Sequence, residues 1–278
     1  MPEYCSQTTM NMRAVATDLD GTLLPASKRI SHELVEITRR LDRIGIPFFP
    51  VTGKSLGLTE KTLGGLDIPM VCLDGAVIKQ GGKVFWDRRS FIPRDLAGEI
   101  LSLAADLSLF MFDHDVLYLR EPVAPVHYLH WGARWGGEVG QAPLTGVTHI
   151  IFLDEHREPL SVLKEAIQTR HDNELRCFLS PRPFNGAYFL VILSPRLSKC
   201  RGTRRLLAEY GLDLPDLIFF GDWRNDIPLL KRAGFPVVMK NAGPRVGQEA
   251  RARTLYTNEE LGVERFLNAY FSLGLRFS

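Results

Sequence analysis

Asp18 and Asp20 stand one residue apart in Asp18-Leu19-Asp20-Gly21-Thr22, directly after the apolar run Ala14-Val15-Ala16. Such a run reads as a buried strand, and Gly21 marks a turn at its end. Open parallel sheets place their chemistry at strand C-termini that run into turns of this kind. A buried carboxylate is costly unless it holds a cation or a working proton. The pair therefore points to an aspartate nucleophile assisted by a divalent metal.

Other polar groups recur at comparable places. Ile46 to Val51 is a second apolar run, and it ends in Thr52-Gly53. Leu217 to Phe220 ends in Gly221-Asp222, with Asn225 and Asp226 close behind. Lys199 opens a helical stretch. Side chains at the C-terminal ends of parallel strands converge on one crevice. Together they supply carboxylates, a hydroxyl and an ammonium, the groups that phosphoryl transfer requires. A hard Mg²⁺ suits an all-oxygen ligand set.

These residues need a scaffold, and the pattern along the chain supplies one. Ala14 to Leu19 is predicted as a strand. Ser31 is placed to cap a helix carrying Leu34, Ile37, Leu41 and Ile44 on one face, with Gly45 ending it. A helix over 55–64, a strand over 69–73 and a hairpin across Gly81-Gly82 follow. From about Phe91 the texture changes. A helix over 95–106, strands over 109–112 and 116–119, and a Trp/His/Gly-rich stretch to Gly140 precede a strand over 148–153. A helix over 160–169 and strands over 175–179 and 187–193 complete a distinct α+β unit. Helix–strand alternation then returns: a helix over 198–210, strands over 217–220 and 235–239, and helices over 227–233, 246–250 and 261–273. The expected class is α/β, a Rossmann-like doubly wound parallel core with an inserted α+β cap domain. The core is expected over 1–82 and 194–278, the cap over 83–193.

The chain of 278 residues is long enough to bury a substantial core. Its formal charge of +2 and the lack of a Lys/Arg block argue against a nucleic-acid partner. Cys5, Cys72, Cys177 and Cys200 are scattered, with no Cys-x-x-Cys pair, and read as reduced thiols. Met1 to Met12 is polar and lacks an apolar signal core, and no apolar run is long enough to span a bilayer. A cytoplasmic enzyme is expected, its partner a small phosphorylated metabolite rather than a membrane. Nothing in the sequence indicates an oligomeric state.

Asp18-Leu19-Asp20-Gly21-Thr22-Leu23-Leu24 resembles the first motif of the haloacid dehalogenase-like hydrolases. Val51-Thr52-Gly53 resembles their second motif, and Gly221-Asp222-Trp223-Arg224-Asn225-Asp226 the fourth. For the third, Ser198-Lys199-Cys200 keeps the Lys and loses a following Gly; Lys199 fits the helix pattern better than Arg201-Gly202 does. The insert is similar to the type IIB cap of Cof-type and sugar-phosphatase members. The resemblance implies that Asp18 is the nucleophile and forms an aspartyl-phosphate. It implies that Asp20 protonates the leaving oxygen and then activates water. Thr52, with the N–H groups of Gly53 and Lys54, would bind the phosphoryl oxygens, and Lys199 would offset charge on Asp18 and the phosphoryl group. Mg²⁺ would be held by Asp18, the Asp20 carbonyl and Asp222, with Asp226 on metal-bound water. Asn225 would act on phosphate or on Lys199.

Two departures bear on substrate contact. Lys54 stands where the family has Arg, which exchanges a bidentate fork for a point charge. Asp74-Gly75 stands where Asn-Gly is usual, and an ionised Asp only accepts hydrogen bonds. Short cues around Thr52-x-Lys54-Ser55 and Pro228 look like mannosyl-3-phosphoglycerate phosphatases. The expected function is a Mg²⁺-dependent phosphatase acting on a small metabolite, foremost a sugar phosphate. The alternatives are a phosphomutase of the same fold, for which Arg120, Arg134, Arg157, Arg170, Arg176 and Arg182 would provide cations, and a non-catalytic phospho-ligand-binding protein. Asp-Gly pairs also make plain turns, a helix-start lysine is often solvated, and Thr52 could simply cap a helix. His127 and His130 lack a third ligand in register and read as cap-surface or substrate-facing residues. Trp131 and Trp135 read as packing.

Overall fold

The computed structural model describes residues 12–120, 134–181, 187–248, 252–254 and 256–277. It divides into two compact units. The first comprises residues 1–53, 59–85 and 199–278, the second 54–58 and 86–198. The chain opens with β1 (Ala14–Thr17), α1 (His32–Arg43), β2 (Phe48–Pro50), α2 (Leu56–Thr62), β3 (Met70–Cys72) and the hairpin β4 (Val77–Gln80) and β5 (Lys83–Trp86). It continues through α3 (Arg94–Leu103), β6 (Ser108–Asp113), β7 (Val116–Arg120), β8 (Arg134–Glu138), β9 (Val147–Asp154), α4 (Arg157–Arg170), β10 (Arg176–Pro181) and β11 (Tyr188–Leu193). It closes with α5 (Lys199–Ala208), β12 (Leu217–Gly221), α6 (Ile227–Leu230), β13 (Phe235–Val238), α7 (Pro244–Gly247), β14 (Ala252–Arg253) and α8 (Gly262–Tyr270).

The first unit is built on a five-stranded sheet in the order β14-β13-β12-β1-β2, parallel throughout. β1 and β12 are buried along their whole length, so both read as apolar runs without alternation. From β1 the chain moves to β2 on one side, and after α5 it returns to β12 on the other. The sheet therefore changes direction between β1 and β12, where doubly wound sheets open a crevice beyond their strand ends. α1 forms as the spacing predicts. The Ser31 hydroxyl accepts from the Leu34 N–H at 3.0 Å, and Leu34, Ile37 and Leu41 are buried. Gly45 turns the chain out at φ +74°, a conformation that would strain a side chain.

The second unit is an antiparallel sheet extended by one parallel pairing, in the order β10-β11-β9-β6-β7-β8. Its core joins Ile92, Ala97 and Ile100 near and on α3 with Leu160, Leu163 and Ile167 on α4 and with Leu109, Met111, Ile150 and Phe152 on the strands. The α/β class of the sequence reading holds.

Several boundaries differ from the sequence expectation. β1 ends at Thr17, and its neighbour Asp18 then donates its N–H to the Phe220 carbonyl at 2.9 Å. α8 begins after Leu261, whose φ of +57° is incompatible with a helix interior. The expected helix over 246–250 starts earlier, at Pro244, and residues 249–250 lie outside the described set. β8 and β14 were not expected. β8 reads Arg-Trp-Gly-Gly-Glu, without alternation, and β14 is two residues long. β3 lies outside the parallel sheet order, meets β2's edge through a Val51–Val71 bridge, and pairs with β4. Among the described residues, Cys72, Cys177 and Cys200 are free thiols, and no helix is long and apolar enough to cross a membrane.

Candidate active site

Asp18 follows β1, and Asp222 follows its parallel neighbour β12. The register pairs Thr17 with Phe220, so both carboxylates leave the sheet at the same end. Lys199 is the first residue of α5 and is buried. Its Nζ donates to Asp18 Oδ1 at 2.7 Å and to Asp226 Oδ1 at 2.8 Å. Asp226 is fully buried, and its other oxygen accepts the N–H groups of Asp222 at 3.1 Å and Trp223 at 3.0 Å. Each of its oxygens therefore serves a donor, and Asp226 fixes both the lysine and the turn carrying Asp222.

One carboxylate oxygen from each of Asp18, Asp222 and Asp226 lies within 4.8 Å of the others. Three carboxylates share a single ammonium, a local formal charge of about −2 if all ionise. Burial is the first cause that pushes Asp18 up, to about 8, with Asp226 and Asp222 adding to it and Lys199 opposing. Burial likewise pushes Asp222 to about 6, with the Thr22 hydroxyl opposing and Asp226 adding. Burial works against the Lys199 charge, but Asp18, Asp226 and Asp74 outweigh it and raise the lysine above the ordinary ammonium range. A divalent cation would relieve exactly this imbalance of like charge, and the donors are all oxygen, as Mg²⁺ prefers. The residues present fit such an ion.

Asp20 departs from the cluster. Its Oδ1 accepts from Lys28 Nζ at 2.7 Å, on the more exposed side of the turn. Its side chain is outside the three-carboxylate group, so any metal contact from this residue would come from its carbonyl. Thr22 donates its hydroxyl to Asp222 Oδ1 at 2.5 Å, and Gly21, at φ +77°, lies so close to Asp222 that a Cβ there would collide with its carboxylate.

Thr52 is buried; its N–H donates to Val71 and its carbonyl accepts from Asp74, at 2.9 and 3.0 Å. A Cβ on Gly53 would come 3.2 Å from Asp74 Oδ2, so the second and junction motifs are neighbours. Asn225 is exposed and makes a long 3.5 Å contact to Asp74 Oδ1 rather than one to Lys199. Lys54 belongs to the stretch grouped with the second unit. Gly75 is buried at φ +102° against Gly202, where a Cβ would sit 2.6 Å from the Gly75 Cα. Gly202 therefore lets α5 approach that turn, while the buried cation is Lys199. Arg204 pairs with Asp213 and Arg205 lies over Phe85, which keeps these arginines away from the carboxylates. His127, His130 and Trp131 lie outside the described residues, and Trp135 is exposed rather than packed.

Sequence reading missed Lys28, because nothing in its neighbourhood marks a lysine eight residues on as a partner for Asp20. It also missed Asn241 and Asn258, which bond the turn after Asp20.

Comparison with known proteins gives the family and the fold. Residues 15–267 match the family described as haloacid dehalogenase-like hydrolase. The chain is 28% identical to 5-amino-6-(5-phospho-D-ribitylamino)uracil phosphatase YitU of Bacillus subtilis, over 93% of this chain and 97% of that protein. It is 26% identical to an HMP-PP phosphatase of Serratia proteamaculans, over 84% of this chain and 86% of that one. The crystal structure of a haloacid dehalogenase-like hydrolase from Bacteroides thetaiotaomicron shares the fold at a TM-score of 0.76 and 21% identity, over 92% of this chain and 98% of that one.

Proposed function

This chain belongs to the haloacid dehalogenase-like hydrolases and is a phosphatase, and on that premise we propose that it hydrolyses a small phosphomonoester through an aspartyl-phosphate on Asp18, with Mg²⁺ as cofactor. The observation that carries this reading is the buried chain Asp18–Lys199–Asp226 beside Asp222. A buried ammonium bonded to a carboxylate at a strand end orients that carboxylate and offsets the negative charge of an incoming phosphoryl group.

In the first half-reaction an Asp18 oxygen bonds to phosphorus while the bond from phosphorus to the leaving oxygen breaks. Asp20 gives its proton to that leaving oxygen. In the second, Asp20 takes a proton from water as the water oxygen attacks phosphorus, the acyl-phosphate bond breaks, and Asp18 is regenerated with release of phosphate. The buried Thr52 and the N–H of Gly53 hold phosphoryl oxygens. Asp18, Asp222 and the Asp20 carbonyl would hold Mg²⁺, with the buried Asp226 beside them on metal-bound water. The ion, when bound, supplies positive charge that lowers repulsion between carboxylate and phosphate.

For the substrate we favour a sugar or sugar-alcohol phosphate. The substrate for which the Bacillus subtilis relative is named carries a phosphorylated ribityl group, which supports that class. We place the protein in the cytoplasm, in keeping with Cys72, Cys177 and Cys200, the cysteines among the described residues, standing outside any disulfide. The test is phosphate release from a panel of phosphorylated sugars, sugar alcohols, glycerates and nucleotides with Mg²⁺. Release from at least one, abolished in Asp18→Asn, is expected. Absence of release from every member, or retention by the Asn variant, would overturn the proposal.

A further inference from the structure

The turn that follows Asp20 is tied down by residues more than two hundred positions later. Gly21 offers its carbonyl to Asn241 Nδ2 at 2.7 Å. Leu24 offers its carbonyl to Asn258 Nδ2 at 2.8 Å. The two asparagines are themselves joined, the Asn258 N–H donating to Asn241 Oδ1 at 3.2 Å. Farther along, the Ala26 N–H donates to Glu259 Oε1 at 2.7 Å. Leu24 in turn bridges back to Asp20 in a short parallel pairing, and its N–H donates to the Leu19 carbonyl at 2.8 Å. Asp20 thus sits on a turn gripped on both sides, at the carbonyl of Gly21 next to it and at Leu24 paired with it.

We propose that Asn241 and Asn258 are positioning residues for the proton-transfer role of Asp20. This rests on the reading of Asp20 as acid and base given above. Neither asparagine touches the carboxylate cluster; each acts through the backbone that carries Asp20. The chemical need is clear. A general acid must meet the leaving oxygen at hydrogen-bond distance, and a displacement of about 1 Å costs roughly a hundredfold in rate. Thr22 already anchors the turn to Asp222, but from the metal side. The asparagine pair anchors it at the backbone instead, its amide donors satisfying the carbonyls of Gly21 and Leu24. Lys28, bonded to Asp20 itself, then has a fixed backbone from which to reach.

The mechanism gives a readout that ordinary loss of stability does not. p-Nitrophenolate leaves without a proton, whereas phenolate leaves far better when protonated. kcat/KM reports events up to and including the first phosphoryl transfer, so it isolates the acid role of Asp20 from its later role as base. Asn258→Ala and Asn241→Ala should lower kcat/KM for phenyl phosphate about tenfold or more and for p-nitrophenyl phosphate less than about twofold. The double variant should fall little below the weaker single one, because the two side chains act on one turn. Thermal unfolding of each variant is measured alongside, and Asn241→Ser, which keeps a short polar side chain, is run in parallel should an alanine variant fail to fold. Equal losses on both esters, or no loss on either, would overturn the inference. If the wild-type enzyme with Mg²⁺ releases phosphate from neither aryl ester nor any member of the panel above, the phosphatase reading fails and the inference falls with it; if it turns over panel members alone, the same comparison is made between an acyl phosphate, whose carboxylate leaves without a proton, and the accepted alkyl phosphate.

Discussion

Lys199 donates to Asp18 at 2.7 Å across 181 residues of sequence, and both side chains are almost wholly buried. The pair makes sense only as part of a larger group, because Asp226 takes the same ammonium at 2.8 Å. One cation between two carboxylates leaves residual negative charge, and Asp222 adds more. On the proposed reading, that excess is what a divalent ion would neutralise. It also makes Lys199, whose ammonium two of these carboxylates share, the costly member to remove.

Asp18→Asn keeps size and shape and removes the attacking charge. Turnover should fall by roughly three orders of magnitude or more, with little change in thermal stability. Trapping with beryllium fluoride should place the adduct on Asp18 in the wild type and yield none in the variant.

Lys199→Met leaves Asp18 and Asp226 buried without their cation. A stability loss of roughly 3–5 kcal/mol is expected, read from urea denaturation at neutral pH, together with loss of turnover. Unchanged stability at neutral pH would mean that the buried pair contributes nothing to the fold.

Mg²⁺ should raise the melting temperature, because an ion that binds the folded chain stabilises it by about 2.7 kcal/mol when present at a hundredfold its dissociation constant. EDTA should abolish turnover and Mg²⁺ restore it. Ca²⁺ should inhibit, since its larger and looser shell disturbs the in-line arrangement. Asp222→Ala should remove the thermal shift. Full activity in metal-free buffer would exclude the metal role.

Glu264, near the start of α8, is buried; its Oε1 accepts from the Ser31 hydroxyl at 2.8 Å, and Oε2 has no hydrogen-bond partner among the described residues. Burial pushes its pKa up to about 7. The protonated form therefore favours folding: its contribution is full below the ordinary value of 4.5 and is lost as pH rises through about 7. Glu264→Gln, neutral throughout, should lack this dependence. Between pH 4.5 and 8 the stability difference should move in favour of the variant by on the order of 3 kcal/mol, measured by denaturant unfolding at both pH values. Parallel profiles for the two proteins would refute it.

Gly202→Ala places a methyl group 2.6 Å from the Gly75 Cα, with backbone on one side and the Val71 side chain on the other. Overpacking of this kind should cost about 1–3 kcal/mol and tilt the start of α5 that carries Lys199. Thermal unfolding and kcat together check both effects.

What the sequence alone determined here is local. Ala14 to Ala16 and Leu217 to Phe220 read as buried strands because burial on both faces removes alternation. Ser31 and Gly45 mark the ends of α1 because capping and left-handed turns depend on residues a few positions apart. Asp18, Asp20 and Asp222 stood out because carboxylates beside apolar runs are rare without a purpose. Tertiary structure decided the rest. Only the pairing of β1 with β12 brings Asp222 to Asp18, and only the approach of α5, permitted by Gly202 and Gly75, brings Lys199 there. Nothing near Lys28, Asn241 or Asn258 announces that they hold Asp20 or its turn, since those bonds span loops whose course no local rule specifies. Desolvation is likewise a property of the folded interior: the same aspartates in an extended chain would titrate as ordinary carboxyls, and packing alone makes them a site in need of a cation.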